Sequence, residues 1–137
     1  MHKKKIFKRP TLDQIKSIHY SLIQDEGQKY SELPKEKEHL ILSALEGIDH
    51  GFGNTEFYPT VCDKAIHILR SIQSSQAFPD GNKRVALSAF EMFLNMNRSQ
   101  VSDSITQKEK EEFMLAIANK KIGKKHSVKC CIKALKK

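Results

Sequence analysis

The chain has 137 residues and a mass of 15.7 kDa, which is enough for one compact domain, and 39% of its residues are apolar. No apolar run approaches the roughly 20 residues of a membrane span, and no apolar stretch follows the basic start as in a secretory signal, so we expect a soluble cytoplasmic protein. The net charge of +8 comes from the ends, because residues 119–137 hold eight lysines and no acid and residues 1–9 hold five more basic residues. We expect a single domain over residues 1–137 with basic tails at 1–9 and 119–137.

Helical spacing of apolar residues organises the first half of the chain. A Thr11–Gln14 capping box predicts the start of a helix that ends near Gly27, and a second helix is predicted over about 34–47. The segment 51–59 is rich in glycine and aromatic residues, which favours a turn or small hairpin. A third helix is predicted over about 60–74.

The second half begins with a polar loop over 74–82. The helix predicted after it, over about 83–97, is apolar on nearly every face, so we place it at the centre of the fold. A Thr106–Glu109 capping box predicts a fifth helix that ends near Gly123, and Ser127 caps a sixth. The sequence therefore predicts an all-α bundle of about six helices with a short β-hairpin.

The loop before the fourth helix combines several features of an anion site. Free N–H groups and the helix dipole at a helix N-terminus favour an anion. Gly81 allows close approach of a ligand, Asn82 tolerates unusual dihedral angles, and Lys83 and Arg84 add positive charge. Asp80 supplies a carboxylate for a Mg²⁺ that also holds phosphate oxygens. On the residues alone, an ordinary turn with Asp80 as a helix cap remains equally open.

The run 76–84, Gln-Ala-Phe-Pro-Asp-Gly-Asn-Lys-Arg, resembles the signature of the Fic/Doc family, His-x-Phe-x-(Asp/Asn)-(Gly/Ala)-Asn-Lys-Arg, in its death-on-curing (Doc) form. The segment 11–19 resembles the first helix of the family, and 57–65 resembles its flap and the helix that follows. The resemblance extends over nearly the whole chain. It implies a helical Fic/Doc fold.

The resemblance also implies a nucleotide-dependent protein phosphotransferase that uses ATP and Mg²⁺. Asp80 would hold Mg²⁺, Gly81 and Asn82 would form an anion hole, and Arg84 would grip phosphate. Lys83, which we also count among the phosphate-binding residues, matches the Doc form, where the AMP-transferring Fic branch more often has glycine. We therefore expect transfer of phosphate rather than of AMP.

The partners implied by the resemblance are those of a toxin in a toxin–antitoxin pair. The target would be a hydroxyl of the translation factor elongation factor Tu, docked as an added strand. The flap residues that would dock it are Thr55, Glu56, Phe57 and Tyr58. Ser43–Gly47 is one residue short of the inhibitory motif of self-inhibited Fic proteins, so we interpret Glu46 as a helix-end residue and assign inhibition to a separate antitoxin chain.

One departure from the family pattern concerns the catalytic position. The family's histidine, which takes the proton from the attacking hydroxyl, falls at Gln76. A carboxamide has no usable basicity near neutral pH, and a positioned base is worth about 10²–10⁴ in rate. His67 lies nine residues earlier on the third helix, too far to substitute. We expect this form to be inactive, and a natural loss and an inactivating substitution both remain open.

Other function classes compete with this one. A catalytically dead Fic-fold binding module would still hold nucleotide, antitoxin or target, and an AMP-transferring Fic-type enzyme is the other alternative. A nucleic-acid binder would use residues 119–137, but these lack the arginine, amide and aromatic side chains of a recognition surface. We therefore expect neither nucleic acid nor membrane as a partner.

The histidines and cysteines show no metal-binding pattern. Six histidines lack HExxH or Cys/His spacing, and we interpret them as surface or helix-face residues. Cys62, Cys130 and Cys131 are an odd number without CxxC spacing, which argues against a disulfide framework and a zinc site.

Overall fold

The computed structural model describes residues 6–27, 29–101 and 104–118. Its α-helices are α1 (Leu12–Asp25), α2 (Glu38–Glu46), α3 (Val61–Ser75), α4 (Asn82–Met96) and α5 (Gln107–Ala118), and its strands are β1 (Gly51–Phe52) and β2 (Thr55–Glu56). One-turn 3₁₀ segments at Lys35–Lys37 and Gly47–Asp49 flank α2. The predicted helical fold with a small hairpin is confirmed. Several predictions lie outside the described residues. They are the end of the fifth helix near Gly123, the sixth helix, residues 1–5 of the first basic tail and the whole basic tail 119–137.

The predicted capping boxes begin α1 and α5. At α1 the Gln14 N–H donates to Thr11 Oγ1 at 3.1 Å, and the Thr11 N–H donates to Gln14 Oε1 at 2.9 Å. Thr106 and Glu109 make the same reciprocal pair. Each box satisfies donors that the first helical turn would otherwise leave free, which explains why these helices begin where they do.

Helix α4 lies against both α3 and α1. Its buried residues are Val85, Ala86, Ala89, Phe90, Phe93 and Leu94. The prediction that it is central is confirmed, but it is not covered on every face. Leu87, Met92 and Met96 are half-buried, and the two methionines line an open groove between α4 and α1.

The hairpin is tied to the helices by a buried lysine. Strands β1 and β2 pair antiparallel, with Gly51 opposite Glu56. The fully buried Lys64 of α3 donates from Nζ to the Ile48 carbonyl at 2.6 Å and pairs with Glu56 Oε1 at 3.5 Å. Burying an ammonium is costly unless it is paired, so these contacts hold β2 against the start of α3.

Within the described ranges, no helix combines the length and apolarity needed to cross a membrane. Cys62 is buried on α3. Cys130 and Cys131 lie outside the described residues, so the expectation drawn from cysteine count and spacing stays a prediction.

Candidate functional site

The loop between α3 and α4 is bounded by two residues in the left-handed region. Gln76 ends α3 with φ +49°, and Gly81 precedes α4 with φ +82°. A non-glycine residue at positive φ is uncommon and strained, and such residues cluster at functional sites. Asn82, although it tolerates unusual dihedral angles, does not take one here. Asn82 is the first residue of α4, and Gly81 takes the turn because it lacks a Cβ.

The side chain of Asn82 closes this loop. Its Oδ1 accepts from the Phe78 N–H at 3.0 Å, and its Nδ2 donates to the Phe78 carbonyl at 2.9 Å. The Phe78 ring is buried in the core. Since the amide of Asn82 is used within the loop, any anion hole here must draw chiefly on backbone N–H groups.

The N-terminus of α4 has no side-chain cap. Its N-cap is Gly81, which makes no side-chain cap hydrogen bond, and among the described residues no side chain is found to accept one from the first turn. The alternative of Asp80 as an ordinary helix cap is therefore not what the structure shows. Among the described residues, the exposed carboxylate of Asp80 makes no hydrogen bond or ion pair. The site thus combines free N–H donors at the positive end of a helix dipole with an adjacent carboxylate.

Two basic side chains follow in the first turn of α4. Lys83 and Arg84 are both exposed, and positive charge at a helix N-terminus is unfavourable. Arg84 pairs through Nη1 with the carboxylate of Glu26, the C-cap residue of α1. Glu26 is not among the residues predicted for the site. An acidic residue at a helix C-terminus opposes the dipole, and that was the available signal.

Gln76 lies beside Asn82 at the other end of the loop. Its Nε2 donates to the Gln73 carbonyl at 2.7 Å, and its Oε1 accepts from Asn82 Nδ2 at 3.5 Å. The loop therefore brings Gln76 together with the predicted residues of the helix N-terminus. Its side chain can donate and accept hydrogen bonds but has no basic nitrogen.

His19 of α1 lies beneath the loop, and its side chain is 1% exposed. Its Nε2 is 3.1 Å from the Asp80 carbonyl oxygen, and its ring lies 4.4 Å from that of Phe78 between centroids. Burial lowers the pKa of His19, and the contact with the Asp80 carbonyl opposes this in part. The sequence predicts His19 as a surface or helix-face residue, and the structure places it on the buried face of α1. Its place among the inward apolar positions of α1 was the signal for burial.

The predicted docking flap lies along the first half of α3. Phe52 and Phe57 are 83% and 48% exposed, and the Tyr58 ring lies 4.3 Å from that of His67. His67 precedes Gln76 by nine residues, a helical rise of about 14 Å. The hairpin and the loop are therefore held at different parts of α3, and the docking role stays a prediction.

Comparison with known proteins extends this picture. Residues 9–94, from before α1 to near the end of α4, match the Fic/DOC family. Over 63 residues the chain is 35% identical to Toxin Doc of Mycolicibacterium smegmatis, an alignment that covers 46% of this chain and 48% of that protein. The chain thus spans about half the length of the curated relative it matches.

Proposed function

The chain belongs to the Fic/Doc family, and on this premise we propose that it is a Doc-like toxin whose α3–α4 loop binds ATP with Mg²⁺. Its activity would be transfer of the terminal phosphate to a protein hydroxyl. The observation that carries the proposal is the uncapped N-terminus of α4, with the free Asp80 carboxylate beside it and Gln76 at the same loop.

The residues present fit both phosphate and Mg²⁺. Mg²⁺ is usually held by one or two carboxylates together with phosphate oxygens, and Asp80 offers such a carboxylate. The backbone N–H groups at Gly81 and Asn82, with Lys83 and Arg84, would bind the phosphates. When bound, Mg²⁺ would neutralise charge that develops on the transferring group.

Transfer would join the target's hydroxyl oxygen to the γ-phosphorus as the bond to the bridging oxygen breaks and ADP leaves. The hydroxyl proton must then pass to a base. Gln76 stands where the family has its histidine, and its amide cannot take that proton. We propose that the protein binds ATP in this form. We expect it to transfer phosphate about 10²–10⁴-fold more slowly than the same site with a positioned base.

The proposed target is elongation factor Tu, because Lys83 matches the Doc form of the motif. An extended segment rises about 3.3 Å per residue, so about four residues of a target strand would match the helical rise of about 14 Å between His67, which Tyr58 contacts, and Gln76. The exposed Phe57 supports docking on the hairpin. A separate antitoxin chain as a partner is proposed from the relative's name, Toxin Doc.

Calorimetry with ATP and Mg²⁺ tests the binding step. We expect the parent chain to bind, Arg84→Ala to abolish the measurable heat, and Lys35→Ala, which removes an exposed lysine before α2, to bind like the parent. Binding that survives Arg84→Ala unchanged would show that the anion site lies elsewhere. If the parent also failed to bind, the proposed function itself would be wrong.

A further inference from the structure

The position of His19 has a consequence for the phosphate loop. The hydrogen bond of this buried ring is with the loop, and its aromatic contacts among the described residues are with Phe78 of the loop and with Tyr30, whose ring lies 5.4 Å away. The ring packs on Phe78 and meets the Asp80 carbonyl, so it contacts the residues on both sides of Pro79. We infer that His19 is a positioning residue that sets the orientation of the Asp80–Gly81 peptide, an inference that rests on the proposed function.

The hydrogen bond fixes the tautomer of the ring. A carbonyl oxygen only accepts, so Nε2 of His19 must carry the proton at its distance of 3.1 Å from the Asp80 oxygen. Nδ1 is then an unprotonated acceptor. It is buried and has no hydrogen-bond partner in the described structure.

The unpartnered Nδ1 makes His19 a costly packing residue. A buried polar atom without a hydrogen bond destabilises the fold, whereas an apolar side chain of similar size would avoid that cost. Packing of the α1 face, which buries Ile15 and Ile23 on either side, does not require a histidine. The single bond that the ring makes, to Asp80, is what a histidine adds at this position.

That hydrogen bond sets the direction of the Gly81 N–H, which is proposed to donate a hydrogen bond to phosphate. The peptide unit is planar, and in the trans form its C=O and N–H point in opposite directions. The described chain has no cis peptide bond. Because the Asp80 carbonyl points at the buried ring of His19, the Gly81 N–H points away from α1. The same constraint holds the backbone that carries the Asp80 carboxylate.

Two substitutions separate positioning from packing. His19→Gln keeps an N–H donor at nearly the reach of Nε2, whereas His19→Phe keeps the ring but loses the donor. We expect His19→Phe to weaken binding of ATP with Mg²⁺ by about two- to tenfold, the equivalent of one neutral hydrogen bond. We expect His19→Gln to restore affinity to within about twofold of the parent. A purely structural role predicts that a folded His19→Phe binds like the parent.

NMR of the full chain without nucleotide gives a readout that does not depend on the proposed function. We expect His19 of the parent to show the Nε2–H tautomer, and the Gly81 and Asn82 amide resonances to move in His19→Phe but not in His19→Gln. An Nδ1–H tautomer in the parent, or amides unmoved in a folded His19→Phe, would overturn the inference, and the tautomer of the parent gives this test even if the variant folds poorly. If the parent failed to bind ATP but the amides moved as expected, the proposed function would fail and the positioning role would stand.

Discussion

Removing the charge of Glu26 is expected to strengthen ATP binding while it weakens the fold. Arg84 pairs with Glu26, and its side chain is 62% exposed against 22% for Glu26. Ion pairs of such exposure are worth about 0.2–1 kcal/mol. If Arg84 must leave Glu26 to meet phosphate, Glu26→Gln releases that energy for binding. The upper limit corresponds to about a fivefold gain in affinity and about 1 kcal/mol less stability.

Calorimetry with ATP and Mg²⁺, together with urea unfolding, measures both effects. The gain in affinity should shrink as salt is raised, because screening weakens the exposed pair in the parent. Glu36→Gln removes an exposed acid from the turn before α2 and serves as the matched control. Affinity that is unchanged or reduced in Glu26→Gln would refute the idea that Glu26 and phosphate compete for Arg84.

Two further predictions concern the loop and the ring beneath it. Gly81→Ala should cost about 1–2 kcal/mol in urea unfolding because its φ of +82° disfavours a Cβ; a stability equal to the parent's would contradict this. The lowered pKa of His19 means that the unfolded chain binds its proton more readily. The contribution of His19 to the free energy of unfolding should therefore be fully present above pH 6.5, the ordinary pKa of histidine. It should decrease as the pH falls below that value. His19→Gln should lose less stability than the parent as the pH is lowered. An identical loss in the two proteins would contradict a contribution from His19.

The local features of the fold were accessible from the sequence. Thr11 and Thr106 mark helix starts because a capping box depends on residues three apart. The turn-forming residues of the loop were a less specific signal, because they do not show which residue adopts positive φ. Both Gly81 and Asn82 tolerate positive φ, but only Gly81 takes it, and the side chain of Asn82 binds the Phe78 backbone. Glutamine carries no signal for the left-handed conformation found at Gln76, so that feature was not predictable.

The contacts that complete the site are long-range. His19 meets Asp80 across 61 residues of sequence, and Glu26 meets Arg84 across 58. Both depend on how α1 packs against α4. Helical periodicity shows which face of α1 is buried, but it does not say which residues of another element that face will contact. The motif residues could therefore be named from the sequence, but the residues of α1 that contact them, His19 and Glu26, could not.

The central claim is that the loop is a phosphate-transfer site that lacks only its base, and Gln76→His tests it most directly. Histidine is among the residues that tolerate positive φ, so the change suits the backbone at this position. The account predicts transfer of label from γ-labelled ATP to elongation factor Tu at least about 10²-fold faster than by the parent. Adding Asp80→Ala should remove that gain. A Gln76→His chain that binds ATP like the parent, yet labels no protein from γ- or α-labelled ATP, would contradict the claim.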